Sequence, residues 1–307
     1  MGRFDGPVRR LWLILLGLLG VLTGPTDAVS QDQRPVSPGA TVELIDSGFE
    51  FTEGPLWYES GLLFSDIPAN TVYRWTADAG TTVFLRPSGR ANGLALDRQG
   101  TLLLAQHDGQ VGRHTEDGTI TPLVQAYGGR RLNSPNDLTV ASDGTIYFTD
   151  PPYGVEEEQR RLDFSGVYRL SPGGALTLLT RAHDRPNGIG LAPSDSTLYV
   201  SDSRETRVWA YDLTPEGTLE NKRVFATPVD EGADGTTDGL AVDAEGHLYT
   251  TGPGGVWVYA PDGTRLARIA VPKAPSNLAF GGPNRKTLFI TARSHVYRVP
   301  VNVPGAP

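Results

Sequence analysis

The sequence predicts an all-β protein, a six-bladed β-propeller closed by an N-terminal strand that joins the last blade. Three observations carry that expectation. One phrase recurs six times, its copies start 39, 44, 51, 51 and 38 residues apart, and no long capped helical pattern occurs. Four short strands in about 40–50 residues is the period of a propeller blade. Residues 40–301 divide by six into about 44 positions per blade, which leaves no room for a second domain.

The first element is an address. Arg9 and Arg10 precede an apolar run from Leu11 to Thr23, and small residues follow as far as Ala28. That order reads as a secretory signal peptide over residues 1–28, with cleavage near Ala28 and export through either the general or the twin-arginine route, an uncleaved membrane anchor being the alternative. The run is shorter than the roughly 20 residues needed to cross a bilayer, so the mature chain is expected to keep no stable membrane span. The protein is therefore expected in the periplasm or secreted. Residues 29–39 are polar and Pro-containing and read as a flexible lead-in, and residues 302–307 as a C-terminal tail.

Next comes Thr41-Val42-Glu43-Leu44-Ile45, an alternating strand with no partner in its own neighbourhood. The last copy of the repeat reaches Val301 with only three strands. The early strand is expected to supply the fourth, because an open ring would leave two exposed sheet edges.

The copies themselves begin Glu53-Gly54, Asn92-Gly93, Asn136-Asp137, Asn187-Gly188, Asp238-Gly239 and Ser276-Asn277. Each continues into a short apolar strand, a turn ending in Gly and a β-rich strand such as LLFSD, TIYFTD or TLYVSD. Third strands such as TVYRW, GVYRL and GVWVY follow, then a turn and a fourth strand. Their Tyr and Trp residues read as packing between blades.

Composition removes several classes of function. Twenty-seven Lys and Arg against 35 Asp and Glu give a net charge of −8, which disfavours a nucleic-acid partner. Cysteine is absent, which excludes disulfides, thiolate zinc sites and a Cys nucleophile. No G-x-S-x-G, H-E-x-x-H or G-x-x-x-x-G-K-[ST] pattern is present. The five histidines have no metal-ligand spacing, and His107, which follows a strand end and could face a cleft, reads first as a surface residue.

In a propeller the first strand of each blade lies nearest the axis, so the six strand starts should converge. Read down, they are Glu53, Asn92, Asn136, Asn187, Asp238 and Ser276, all oxygen-bearing. Such a ring suits one hard divalent cation, calcium first, with Mg²⁺, Mn²⁺ or Zn²⁺ as alternatives. Asn92 and Ser276 read first as turn residues, since Asn and Ser bond to local backbone. Glu53 has no such turn advantage. A second column, at the ends of the second strands, reads Asp66, Gln106, Asp150, Asp202, Gly252 and Ala292, and is expected at the other end of the sheets or at the rim. Asn92, Asp150 and Tyr153 stand as further candidates, the last two because Asp150-Pro151-Pro152-Tyr153-Gly154 interrupts the repeat and leads into a charged insertion.

The segments FTEGPLWYESGLLFSDIPANTVYRW, RLNSPNDLTVASDGTIYFTDPPYG, RPNGIGLAPSDSTLYVSD and TDGLAVDAEGHLY resemble the SMP-30/gluconolactonase family, in particular its bacterial gluconolactonase-like branch. The resemblance runs from about residue 45 to 300. It implies a propeller that holds one divalent cation on its axis and hydrolyses a lactone, a sugar lactone such as gluconolactone being the usual case. It assigns Glu53, Asn187 and Asp238 to the metal, acid/base duty to Asp238, and a place beside metal and substrate to Asn136. Animal members carry an Arg two residues before that Asn to hold sugar hydroxyls, where this chain has Ser134, with Arg130 and Arg131 offset. Two other readings stay open, a lactonase or esterase for non-sugar substrates and a non-catalytic binding propeller with structural calcium.

Overall fold

The outermost strand is the least buried in every blade, and the sequence shows why. Second strands such as Gly61–Asp66 and Leu102–Gln106 are buried along their whole length, sandwiched between neighbouring blades, and so carry apolar runs such as Leu62-Leu63-Phe64 and Leu102-Leu103-Leu104-Ala105. Fourth strands such as Leu219–Ala226 and Arg265–Ala270 lie at the rim and are mostly exposed, which is why they carry Lys, Arg and Glu. The computed structural model describes residues 1–3, 6 and 34–306. The expected leader over 1–28 and its cleavage point lie outside the described residues, positions 1–3 and 6 apart.

Six four-stranded antiparallel sheets make up the ring. Their innermost strands are Thr52–Tyr58, Ala91–Leu96, Leu138–Val140, Pro186–Leu191, Leu240–Val242 and Asn277–Gly281. Each contacts the next in turn, and the sixth returns to the first. A small ribbon, Ala126–Tyr127 with Arg130–Arg131, and one 3₁₀ turn at Glu157–Gln159 are the additions to this plan among the described residues. No helix among the described residues is long and apolar enough to cross a membrane.

The ring closes as the repeat arithmetic requires. Glu43–Ser47 pairs antiparallel with His295–Pro300 and becomes the fourth strand of the last blade. The Glu43 carboxylate accepts from Arg298 at 2.9 and 3.0 Å across that ladder. The strand begins two residues later than the alternation suggested.

The lead-in departs from expectation. From Arg34 onward it is packed: Val36 joins the core between the fifth and last blades, and the Pro35 carbonyl accepts from Asn302 N at 2.9 Å. The tail is tied down too, with Ala306 N donating to Val242 O at 3.1 Å and Gly305 N to Arg285 O at 3.0 Å. Both segments contain Pro, but they satisfy their backbone by pairing with the sheet ends and cover apolar edges of two blades.

Two local devices aim side chains at the axis. Register shifts in the first, second and fourth innermost strands fall between Glu53 and Leu56, Ala91 and Leu94, and Pro186 and Ile189. Bulges of this kind re-aim a side chain without ending the strand. In the third and fifth blades the ladder starts only at Leu138 and Leu240, so Asn136 and Asp238 precede it and are free to turn inward. Glycine permits the close approach that follows. A Cβ on Gly54, which has φ +46°, would lie 1.9 Å from Asn92 O in the adjacent blade.

Candidate active site

The innermost strands start around one cavity of about 620 Å³, and Glu53, Asn92, Asn136, Asn187, Asp238, Ser276 and Tyr153 all line it. Four segments scattered over 185 positions thus bring the two carboxylates and Asn136 and Asn187 to one place.

Hydroxyls on neighbouring strands hold the backbone of these residues. Ser201 Oγ donates to Asp238 O at 2.5 Å, Gly188 N to the same carbonyl at 3.1 Å, and Asp238 N to Thr251 Oγ1 at 2.7 Å. Thr149 Oγ1 donates to Asn187 O at 2.6 Å, and Ser65 Oγ to Asn92 O at 2.8 Å. Backbone fixed in this way leaves side-chain oxygens for a ligand. Asp238 Oδ1 and Asn92 Oδ1 are buried and have no hydrogen-bond partner.

The electrostatics are unfavourable for two bare charges. Burial pushes the Glu53 carboxyl up, against hydrogen bonds from Gly54 N and Asn277 that favour its ionised form. Asp238 is pushed well up, first by burial and then by the charges of Glu53 and Asp137, with Arg293 acting the other way. Two carboxylates that repel in a low-dielectric cleft take up either protons or a cation. The lining oxygens are carboxylate and amide, with Asp238 Oδ1 unpartnered, and this donor set fits a hard divalent ion. Among the described residues no three His, Cys, Asp or Glu side chains form such a group by themselves. Two of the oxygens assigned to a cation here belong to carboxylates and the third to an amide.

The floor is made where the repeat breaks. The position after each lining residue is Gly54, Gly93, Gly188 and Gly239 in four blades, but Asp137 and Asn277 in the third and sixth. Asn277 Nδ2 donates to Glu53 Oε2 at 3.0 Å, and a Cβ on Gly239 would fall 1.9 Å from Asn277 Oδ1. Glycine in four blades makes room for the two polar side chains of the others. Burial raises the Asp137 carboxyl to about 7.

Several expectations need correction. Asn92 and Ser276, read first as turn residues, are 2% exposed and line the cavity. His107, expected at the surface, is 7% exposed and lines it as well, its ring beside the Asn92 amide. The second column lies at the same end as the strand starts, because the strands are antiparallel. Its carboxylates support the entry loops: Asp66 accepts from Glu50 N and Phe51 N at 3.0 and 3.1 Å, and Asp202 from Asp184 N at 3.0 Å.

Asp150 belongs with those supports and does not line the cavity. Its Oδ2 accepts from Asn133 N at 2.9 Å, and burial raises its carboxyl to about 7. Ser134 is fully buried. Its Oγ donates to Pro151 O at 2.5 Å and accepts from Gly154 N at 2.9 Å, which pins the loop that carries Tyr153 over the cavity. The Tyr153 hydroxyl pairs with Ser203. Neither Arg130 nor Arg131 lines the cavity; Arg130 faces Asp163 at 3.9 Å. The cavity's cation is Arg293, whose guanidinium stands 5.6 Å from the Phe51 ring.

The family model described as SMP-30/Gluconolactonase/LRE-like region matches residues 51–294. The chain belongs to that family. A gluconolactonase of Zymomonas mobilis is 37% identical over 287 residues, covering 84% of this chain and 80% of the relative. An L-arabinolactonase of Azospirillum brasilense is 31% identical over 267 residues, covering 83% and 84%. Among solved structures, a Xanthomonas campestris gluconolactonase superposes with a TM-score of 0.79 at 35% identity, over 85% of this chain and 89% of that one. Within the SMP-30/gluconolactonase/LRE-like family, then, this member puts Ser134 to structural use and lines its cavity with Arg293.

Proposed function

We propose that the protein is a lactonase that hydrolyses a lactone, a sugar lactone by preference, at the cavity where Glu53, Asn187 and Asp238 hold one divalent cation. The observation that carries this reading is the convergence of two mutually repelling carboxylates and an amide, with Asp238 Oδ1 buried and unpartnered. Relatives named gluconolactonase and L-arabinolactonase support lactone hydrolysis. Calcium is the first choice of ion, and the fold neighbour regucalcin of Agrobacterium tumefaciens is described as a calcium-binding protein.

A cation bound there supplies Lewis-acid polarisation of the lactone carbonyl and charge stabilisation of the developing oxyanion. The protein's own groups do the rest. Asp238 accepts a proton from the attacking water as its oxygen bonds to the carbonyl carbon. When the ring C–O bond breaks, that proton passes to the departing alkoxide and the hydroxy acid is complete. Asn136 orients the substrate by hydrogen bonding, and the Arg293 guanidinium balances the negative charge of the new carboxylate.

The ring's burial keeps these groups out of bulk water, where each interaction would be weaker. The test is pH-stat hydrolysis of glucono-δ-lactone by protein stripped and reloaded with each divalent metal, alongside calorimetric titration of the ion. Turnover that is unchanged in protein shown to be metal-free would overturn the mechanism.

A second reading, a non-sugar lactonase or esterase, is favoured by one observation. Phe51, Ile67, Pro68, Ala274 and Pro275 give the same cavity an apolar wall. A lactone panel run beside the sugar substrate decides between them. For location we propose export to the periplasm or beyond, on the basic and apolar residues of positions 9–23. Sequencing of the mature N-terminus from cell fractions tests it.

A further inference from the structure

Asn92 and His107 form a buried pair on the second blade that the hydrolytic reading leaves unused. Asn92 Nδ2 and His107 Nε2 are 3.1 Å apart, and an amide nitrogen can only donate. His107 Nε2 must then accept, which places the ring proton on Nδ1. With its nitrogen committed to the ring, Asn92 turns Oδ1 the other way, where it is buried and unpartnered in a residue 2% exposed that lines the cavity. A lone acceptor so buried costs free energy unless a ligand donor meets it.

The ring cannot easily turn to undo this. A Cβ on Gly154 would lie 2.6–2.8 Å from His107 Cβ, Cγ and Nδ1, so the Tyr153–Gly154 loop closes directly on its face. Ser134 pins that loop in turn. Burial lowers the His107 pKa to about 4, which keeps the imidazole neutral and able to accept at ordinary pH. Such a constellation presents the cavity with an oxygen that accepts and does not donate. Its natural complement is a hydroxyl group.

We propose that Asn92 Oδ1 is a specificity-determining acceptor for a ring or chain hydroxyl of a polyhydroxylated lactone, and that His107 is the positioning residue that turns it into the cavity. The proposal rests on the lactonase reading for its substrate class and deepens it. A site built around a hydroxyl rejects analogues that lack one, because its own polar group is then left unpaired.

The experiment has three arms on the full chain. Nitrogen-15 shifts of the histidine rings, with His107 assigned by its loss in His107→Gln, should show Nδ1 protonated and Nε2 bare. A protonated Nε2 would overturn the proposal. The ratio of kcat/KM for glucono-δ-lactone to that for the hydroxyl-free δ-valerolactone should fall about tenfold in Asn92→Leu and in His107→Phe, chiefly through KM. His107→Gln keeps an acceptor and should restore most of the ratio. Equal losses on both lactones, or none on either, would refute the assignment.

Calorimetry of D-gluconate against 5-hydroxypentanoate should show the same loss of preference in Asn92→Leu. This arm separates the two readings. Selective binding of gluconate without turnover would defeat the lactonase assignment and sustain the acceptor. Turnover without selectivity would do the reverse.

Discussion

Asn277 Nδ2 donates to Glu53 Oε2 at 3.0 Å, a bond between residues 224 apart that joins the last blade to the first beneath the cavity. Outer groups that orient a ligating carboxylate commonly govern affinity by 10–100-fold. Asn277→Ala is therefore expected to weaken the proposed binding of a divalent cation by about tenfold or more while Glu53 itself remains. Isothermal titration of the stripped protein measures it, and an unchanged affinity would show that the bond merely fills space.

Asp238 carries the proposed proton transfer, and its backbone is held by Ser201, Gly188 and Thr251. Asp238→Asn keeps those backbone bonds and removes the base. Turnover is expected to drop by about 10²–10⁴ with the circular-dichroism spectrum retained. Because a disfavoured buried charge disappears, the stripped variant should melt no lower than stripped wild type. A collapse in melting temperature would place the residue in structure.

Asp150 sets a pH dependence of stability. Burial raises its folded value to about 7, whereas the unfolded carboxyl titrates near 4. Between those values the native state holds a proton that the unfolded chain has released, so stability is full below about pH 4 and is lost as pH rises through 7. The gap bounds the effect at about 4 kcal/mol. Urea titrations at pH 5 and 8 should show a smaller fall for Asp150→Asn, whose side-chain oxygen can still accept from Asn133 N. Parallel slopes for both proteins would disprove the assignment.

Gly54 marks the tightest approach between the first two blades, with a would-be Cβ 1.9 Å from Asn92 O. Gly54→Ala must push backbone apart in addition to straining a positive φ. A destabilisation of more than about 2 kcal/mol is expected by chemical denaturation. A loss under 0.5 kcal/mol would mean that the blades can slide.

Much of this was legible because a period constrains every copy at once. The column Glu53, Asn92, Asn136, Asn187, Asp238, Ser276 could be read before any coordinates, and all six residues line one cavity. Two neighbouring columns carried information that a reading confined to strand starts passes over. Asp137 and Asn277 are visible as the two non-glycines one position further on. Ile67, His107, Ser203 and Arg293, four lining residues, each stand one position past the end of a second strand. His107 read as a surface residue because strand ends are ordinarily wet, and only the loop that folds down through Gly154 buries it. Asp150 misled for the opposite reason: a carboxylate beside a loop insertion resembles a catalytic group, yet its partner is the Asn133 backbone, a contact that no spacing rule reveals. The packing of residues 34–36 and 302–306 was hidden because short polar segments carry no period.

The pairing of Glu43–Ser47 with His295–Pro300 has a temporal consequence. Strands about 250 positions apart must meet before the circle is sealed, and contacts of such long range form late. Glu53 and Asn277 sit on either side of that seam, so an unfinished or clipped chain should possess no partly working pocket. Activity would arrive in a single step with the locking of the last blade, and its onset during refolding would report the latch itself.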